Sequence, residues 1–399
     1  MAPKIKFEGR PVWTEISLGA IRHNLRIIRR QIGPKRKVLS IVKANAYGLG
    51  AVDVSLALEK AGSDWFGVTC TSEGAELRDA GIRKPILVLT GFWPGEERRL
   101  LRHELTPTIT RVDQLQDLEW AAKSLKSGKG RGRGLSRSAN GKIPFHLKID
   151  TGMNRLGISP GELDNFAKVL ADCPHLELGG TYTHFASSET FLSQQTEQQE
   201  AVFEEALSQL QSMGISPGIV HQANSGAICA RPSTWSDMVR AGAILYGYQQ
   251  SFEPEERRAE VMATMPVRPS LSMRARIISL KEIEPGQAVG YGARFVADRP
   301  SRIAVIAAGY ADGLLRARTN RGCVIVRGKR VPLVGTISMD LTMVDVTDIP
   351  EVRLGDVVTI YGTDGKVSIH VSDVAREIGT VTSDLLCALG KRVPRFYVA

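Results

Sequence analysis

The chain has 399 residues, of which 43% are apolar and 24% charged, a balance that excludes disordered and fibrous classes and is long enough for two domains or one barrel with an appendage. No apolar run approaches the ~20 residues of a membrane span, and the opening MAPKIKFEGRPVW lacks the apolar centre of a secretory signal. Of the +10 formal charge, seven basic residues fall between Lys123 and Lys142 with no acid among them, and subtracting them leaves +3. Glycine, serine and like charges in a row read as a flexible insertion, so the charge calls for no nucleic-acid partner. The five cysteines (Cys70, Cys173, Cys229, Cys323, Cys387) are scattered and form no CxxC pair. That points to reduced thiols in a cytoplasm, with neither a disulfide framework nor a zinc site.

In chain order, Leu18, Ile21, Leu25, Ile28 and Ile32 recur at helical spacing and stop at Gly33-Pro34. Short apolar runs follow at Val38–Val42, Trp65–Val68, Ile86–Leu89, Pro107–Ile109, Phe145–Ile149, Leu176–Tyr182, Ile219–His221 and Met238–Val239. Helical patterns lie between most of them, at Ser72–Ala80, Val112–Lys126, Gly161–Ala171 and Gln194–Met213. Eight strands alternating with helices predict an α/β fold, a (β/α)8 TIM-type barrel over residues 1–265. From about Pro266 the texture changes to β-type runs such as RIAVIAAGY, CVIVRGKRVPLVG and DVVTIYG, separated by Gly, Pro and Asp turns. Residues 266–399 therefore predict a C-terminal mostly-β domain, with one helix near Val371–Ile378.

In a barrel of this kind, ligand groups gather at the C-terminal ends of the strands. Lys43 ends the first predicted strand, and Lys148 and Asp150 end the fifth, ahead of TGMNRLG with Arg155. His184 ends the sixth, Asn224 and Ser225 the seventh, and Arg240 the eighth. Each alone is ordinary: a strand-end lysine is usually solvated and a strand-end histidine usually structural. Together on one rim they suit a small, polar, partly anionic ligand. No Cys/His cluster has metal-ligand spacing and no GxSxG elbow occurs. What remains is a candidate amine nucleophile, several arginines and a phosphate-friendly set of Tyr47, Ser225 and the backbone at Gly242. Lysine forms Schiff bases, and the cofactor carrying both an aldehyde and a phosphate is pyridoxal 5'-phosphate.

The segment VKANAYG resembles the cofactor-lysine signature of the alanine racemases. HLKIDTGMNRLG, YTHFA, ANSGA, VRAGAILYG, VGYGARF, AAGYADG, GTISMD and KRVPRFY follow in the order of that family's motifs, from about Trp13 to Tyr397. The resemblance implies a cytoplasmic homodimer with shared active sites that interconverts L- and D-alanine by a two-base mechanism and supplies D-alanine for peptidoglycan. It implies that Lys43 holds the cofactor covalently and serves as one base, with Tyr291 from the partner subunit as the other. Arg155 would bind the substrate carboxylate, assisted by the partner's Met339 backbone, while Tyr310 would line the entrance. Arg240, backed by His184, would face the pyridine nitrogen. Tyr47, Asn224, Ser225, Gly242 and Ala243 would hold the cofactor, and Lys148 matches a position that is carbamylated in many members. Ser383 stands where the family usually has a tyrosine near the phosphate, which raises a serine or broader-specificity racemase as an alternative. A basic amino-acid decarboxylase of similar architecture is disfavoured by Tyr291 and Arg240. A non-catalytic cofactor carrier, which would resemble the barrel alone, is disfavoured by the β domain. No metal, membrane or nucleic-acid partner is expected.

Overall fold

The structure, a computed structural model, describes residues 9–127, 141–248 and 252–399. It resolves into two compact units. One comprises residues 21–46 and 51–268; the other comprises the N-terminal residues up to 20, residues 47–50 and residues 269–399. Most of the basic insertion expected at Lys123–Lys142 lies outside the described residues; its first five residues close the helix Asp113–Ser127.

The first strand, β1 (Val12–Ser17), belongs to the β unit. The barrel unit then carries β2 (Lys37–Ile41), β3 (Trp65–Val68), β4 (Ile86–Val88), β5 (Thr106–Ile109), β6 (Ile143–Lys148), β7 (Leu176–Tyr182), β8 (Ile219–His221) and β9 (Met238–Ala241). Their lateral order is β8-β7-β6-β5-β4-β3-β2-β9, and every pair is parallel. Between β8 and β9 only scattered bonds close the ring, such as Arg240 N–H to the Ala223 carbonyl at 3.0 Å. Eight parallel strands thus form a nearly closed barrel. All three residues of β4 and all four of β5 are buried, which is why β4 reads as an unbroken apolar run, while β5 buries Thr106 and Thr108 beside Pro107 and Ile109. The helix Leu18–Ile32 buries Ile21, Leu25, Ile28 and Ile32, the stripe its spacing predicts, and Gly33 ends it at φ 80°.

The β unit continues with β10 (Leu271–Ile283), β11 (Ala288–Val289), β12 (Phe295–Val296), β13 (Ser301–Ile306), β14 (Cys323–Val326), β15 (Lys329–Val334), β16 (Thr342–Asp345), β17 (Val357–Asp364), β18 (Val367–Ile369) and β19 (Arg395–Val398). The long β10 bends at a register shift between Ile277 and Ser279, so it pairs with β1 and β17 at one end and with β13 at the other. Because β17 pairs with both β10 and β14, six strands (β10, β13, β16, β15, β14, β17) close into a ring that leaves few open edges. Two short helices, Val371–Glu377 and Thr382–Cys387, follow. No helix of the described residues is long and apolar enough to cross a membrane.

Candidate active site

Lys43 follows β2, half-buried, and the backbone beyond it is unusual. Ala44, Asn45, Ala46 and Tyr47 all have φ between 52° and 56°, a left-handed turn built without glycine. Such conformations cost roughly 1–2 kcal/mol per residue, so surrounding bonds must hold them. Glu73 accepts from Ala44 N–H and from Thr69 N–H, both at 2.7 Å, and Asn45 Oδ1 accepts from Ala51 N–H at 2.8 Å. Glycine enters the turn only at Gly48 and Gly50, at φ 81° and 102°.

Tyr47–Gly50 belongs to the β unit. There Arg395 Nε donates to the Gly48 carbonyl at 2.8 Å, and the Tyr397 hydroxyl donates to the Leu49 carbonyl at 3.2 Å. A Cβ on Gly48, at φ 81°, would stand 2.3 Å from the Leu386 carbonyl oxygen, so that position admits only glycine. Burial, with Cys387 nearby, pushes the Tyr47 hydroxyl up to about 12. Ser383 is half-buried, one helical turn before Cys387.

Four cations gather in the barrel unit. Lys43, Lys148, Arg155 and Arg240 each lie close enough to His184 to disfavour its protonation, after burial, which is the larger cause. Lys148 ends β6 with 6% of its surface exposed. Burial first, then Arg155 and Arg240, lowers its amine from the ordinary 10.5 to about 8. Asp150 Oδ1 accepts from the N–H groups of Gly152, Met153 and Asn154, each at 3.0 Å, which closes the turn carrying the exposed Arg155.

Arg240, 3% exposed on β9, is fixed by carbonyls and imidazoles. Its Nη1 donates to His221 Nδ1 at 3.2 Å and to the His221 carbonyl at 2.9 Å. Its Nη2 donates to the carbonyls of Thr183 and Gln222 and to His184 Nδ1, at 2.8, 2.9 and 3.0 Å. The Nε–H takes part in none of these bonds. Two residues on, Gly242 N–H donates to Ser225 Oγ at 3.0 Å, and the turns starting at Ser225 and Ala243 are joined there. Asn224 sits at the same place, but its Oδ1 caps Ala227 N–H at 3.1 Å and accepts from Ser188 Oγ at 2.6 Å, a structural use.

Tyr291, Tyr310 and Met339 meet in the β unit, around a cavity of about 470 Å³ that Arg316 and Asp340 also line. Gly290 and Gly292, at φ 74° and 72°, flank Tyr291. Tyr310 N–H donates to the Ser338 carbonyl and Ala311 N–H to the Met339 carbonyl, both at 3.0 Å. A Cβ on Gly309 would stand 2.4 Å from the Met339 carbonyl oxygen. All three of Tyr291, Tyr310 and Met339 are exposed, by 75%, 40% and 52%.

An amine at a barrel mouth, a ring of cations and an arginine without a carboxylate partner suit an anionic cofactor that reacts with lysine. Pyridoxal phosphate fits: Arg240 keeps an N–H outside its network, and the joined turns at Ser225 and Gly242 leave backbone to meet a phosphate. Fold and site together define a barrel enzyme of pyridoxal phosphate with an added β domain.

Residues 16–250 match the family model of the alanine racemase N-terminal domain and residues 270–397 that of the C-terminal domain. The chain is 37% identical to the alanine racemase of Geobacter sp. strain M21, covering 98% of this chain and 100% of that one. It is similar to the structure of alanine racemase from Clostridium difficile 630, with a TM-score of 0.85 and 32% identity over 99% of this chain and 97% of that one. The alanine racemase of Bartonella henselae with covalently bound pyridoxal phosphate aligns with a TM-score of 0.83 and 29% identity, over 98% of this chain and 100% of that one. The chain belongs to the alanine racemase family: it is a pyridoxal-phosphate-dependent isomerase that interconverts L- and D-alanine. The alternative raised by Ser383, a serine or broader-specificity racemase, finds no support among these relatives.

His146 and His221 carry no mark in the sequence reading. His146 sits inside β6 and His221 ends β8, apolar settings where a histidine reads as core, and they connect to the site through their bond to each other and the bond of His221 to Arg240.

Proposed function

We propose that the chain racemises alanine with two bases, Lys43 and Tyr291, in a homodimer whose active sites are shared between subunits, in the cytoplasm, and that its D-alanine goes to peptidoglycan. The observation that carries this reading is the exposure of Tyr291, Tyr310 and Met339 around one cavity. A monomer seldom leaves aromatic and apolar side chains clustered in the open, and a second copy of the chain would cover them. Bound pyridoxal phosphate supplies an electron sink that makes the α-hydrogen of alanine acidic. Lys43 Nζ takes or returns that proton on one face of Cα and Tyr291 Oη does so on the other, because inverting the centre requires loss from one side and gain from the opposite side.

Arg155 holds the substrate carboxylate on the turn that Asp150 closes. Arg240 would donate toward the pyridine nitrogen of the bound cofactor; a guanidinium stays protonated and gives no proton up, so it would leave that nitrogen unprotonated and disfavour transamination. Tyr47, Ser225, Gly242 and Ala243 hold the phosphate. Lys148, neutral in part at ordinary pH, accepts carbon dioxide as a carbamate whose negative charge Arg155 and Arg240 balance.

The test is complementation. Lys43→Ala and Tyr291→Phe proteins are each nearly inactive. Refolded together, about half the dimers are mixed and roughly a quarter of all sites pair an intact lysine with an intact tyrosine, so activity returns. Mixed dimers that form without activity would place both bases in one chain and end the shared-site reading.

A further inference from the structure

Arg240 is the start of a longer bonded chain that runs back into the barrel. Its Nη1 reaches His221 Nδ1 at 3.2 Å, and His221 Nε2 reaches His146 Nδ1 at 2.9 Å. A guanidinium can only donate, so His221 Nδ1 must accept. The His221 proton is therefore on Nε2, where it is donated onward to His146. His146 Nδ1 accepts in turn, and its own proton is on Nε2. The direction of every bond in the chain follows from the one group that cannot accept.

Packing fixes the geometry as tightly as bonding fixes the tautomers. The Tyr182 ring stacks on His221 with centroids 4.6 Å apart and planes 14° apart, and its hydroxyl donates to the Leu89 carbonyl at 2.7 Å. Trp65 lies 5.2 Å from the His146 ring on another side. The neighbour on β7 is Gly180, where a Cβ would stand 2.6 Å from His146 Cε1. A glycine is needed there for the imidazole to occupy its place. Both histidines are fully buried, and burial holds both in the neutral form.

We propose that His146 is a positioning residue of the racemase: by accepting from His221 Nε2–H it fixes the His221 tautomer, and through it aims the Arg240 guanidinium. The inference rests on the reading that Arg240 faces the pyridine nitrogen. Without His146 as acceptor, the buried His221 loses the partner for its Nε2–H, and the tautomer with Nδ1–H sets a donor against the guanidinium. Arg240 Nη1 then shifts, and its hold on the ring nitrogen loosens.

The experiment compares His146→Leu with His146→Asn, which are alike in size but differ in an oxygen that can accept where Nδ1 does. Two measurements are made beside racemisation. One is the imidazole 15N spectrum of histidine-labelled protein with and without cofactor, which reports the His221 tautomer. The other is the number of racemisation turnovers per conversion of bound pyridoxal phosphate and alanine to pyridoxamine phosphate and pyruvate. His146→Leu is expected to mix the His221 tautomers and to lower turnovers per transamination by about tenfold, the worth of one hydrogen bond near a charge. His146→Asn is expected to restore most of both. Should His146→Leu not fold, Gly180→Ala displaces the ring without removing a nitrogen and is read the same way. A His221 spectrum and turnover ratio unchanged in His146→Leu, while Arg240→Gln changes the ratio, would overturn the proposal alone. A ratio unmoved by Arg240→Gln would overturn the reading of Arg240 and the proposal with it.

Discussion

Arg392 reaches the fully buried Asp312 with Nε at 2.7 Å. The same guanidinium meets Asp340 Oδ1 through Nη2 at 2.6 Å, and Asp312 Oδ2 accepts from Gly309 N–H at 3.0 Å. The turn bearing Tyr310 and the loop bearing Met339 are thus tied to one cation. Removing the buried carboxylate leaves Arg392 Nε–H and the Gly309 N–H without their acceptor, while Arg392 keeps Asp340. Asp312→Ala is expected to lower stability by about 2–3 kcal/mol and to raise KM for alanine. Urea midpoints and steady-state kinetics check both, and a variant as stable as the parent would show that the tie is dispensable.

The left-handed turn after Lys43 predicts an opposition between stability and rate. Ala44 is exposed at φ 52°, so glycine there loses no packing and relieves strain worth roughly 1 kcal/mol. Ala44→Gly is expected to raise the urea midpoint and lower kcat, because the amine of Lys43 is then less firmly aimed. If kcat stays at the parent value, the strained backbone has no part in placing Lys43.

His146, His184 and His221 are all held neutral by burial, His146 down to about 3 and the other two well below the ordinary value. Their folded pKa values lie below the unfolded ~6.5, so the stability they contribute is present above that pH and lost as the pH falls through it. The unfolded chain then binds protons that the native one refuses, at about 1.4 kcal/mol per pH unit for each imidazole. Urea midpoints measured on either side of pH ~6.5 should fall steeply on the acid side. A flat profile there would mean that all three rings protonate in the folded protein.

Much of this was legible in the sequence. The barrel strands surface in the sequence as short, largely apolar runs, and all eight appear within a residue or two of where the runs lie. The C-terminal unit showed itself in its short β-type runs, although the helix Thr382–Cys387 did not. The placement of β1 was not legible, because a single strand ahead of a helix carries no sign of whether its partner is near or distant; its partners are β10 and β19, far along the chain. Lys43 and Arg240 stood out as charges ending apolar runs. The left-handed Ala44–Tyr47 turn could not, since alanine and tyrosine are poor indicators of positive φ and only surrounding bonds impose it. His146 was hidden for the reason that makes it informative, a polar ring inside an apolar strand.

Lys148, lowered to about 8 mainly by burial, has roughly a quarter of its amine unprotonated near pH 7.5. Only the neutral amine attacks carbon dioxide. Protein equilibrated with 13C-bicarbonate is expected to show a carbamate signal that grows as pH rises toward 8 and is missing from Lys148→Met. A signal that survives in Lys148→Met would assign the carbamate to another lysine.

The β unit is assembled from the chain's beginning, a four-residue excursion at Tyr47–Gly50 and everything after Arg268. Leu49, within that excursion, is fully buried, and a Cβ at Gly50 would collide with the Tyr397 hydroxyl. A single recombination breakpoint near residue 268 would therefore bring a foreign C-terminal segment against native residues 47–50. Exchange of this unit between homologous genes needs three inherited stretches to travel together. Each unit is compact by itself yet interleaved with the other along the chain, and chimaeras that respect only the boundary near 268 should fail at Gly48, Leu49 and Gly50 first.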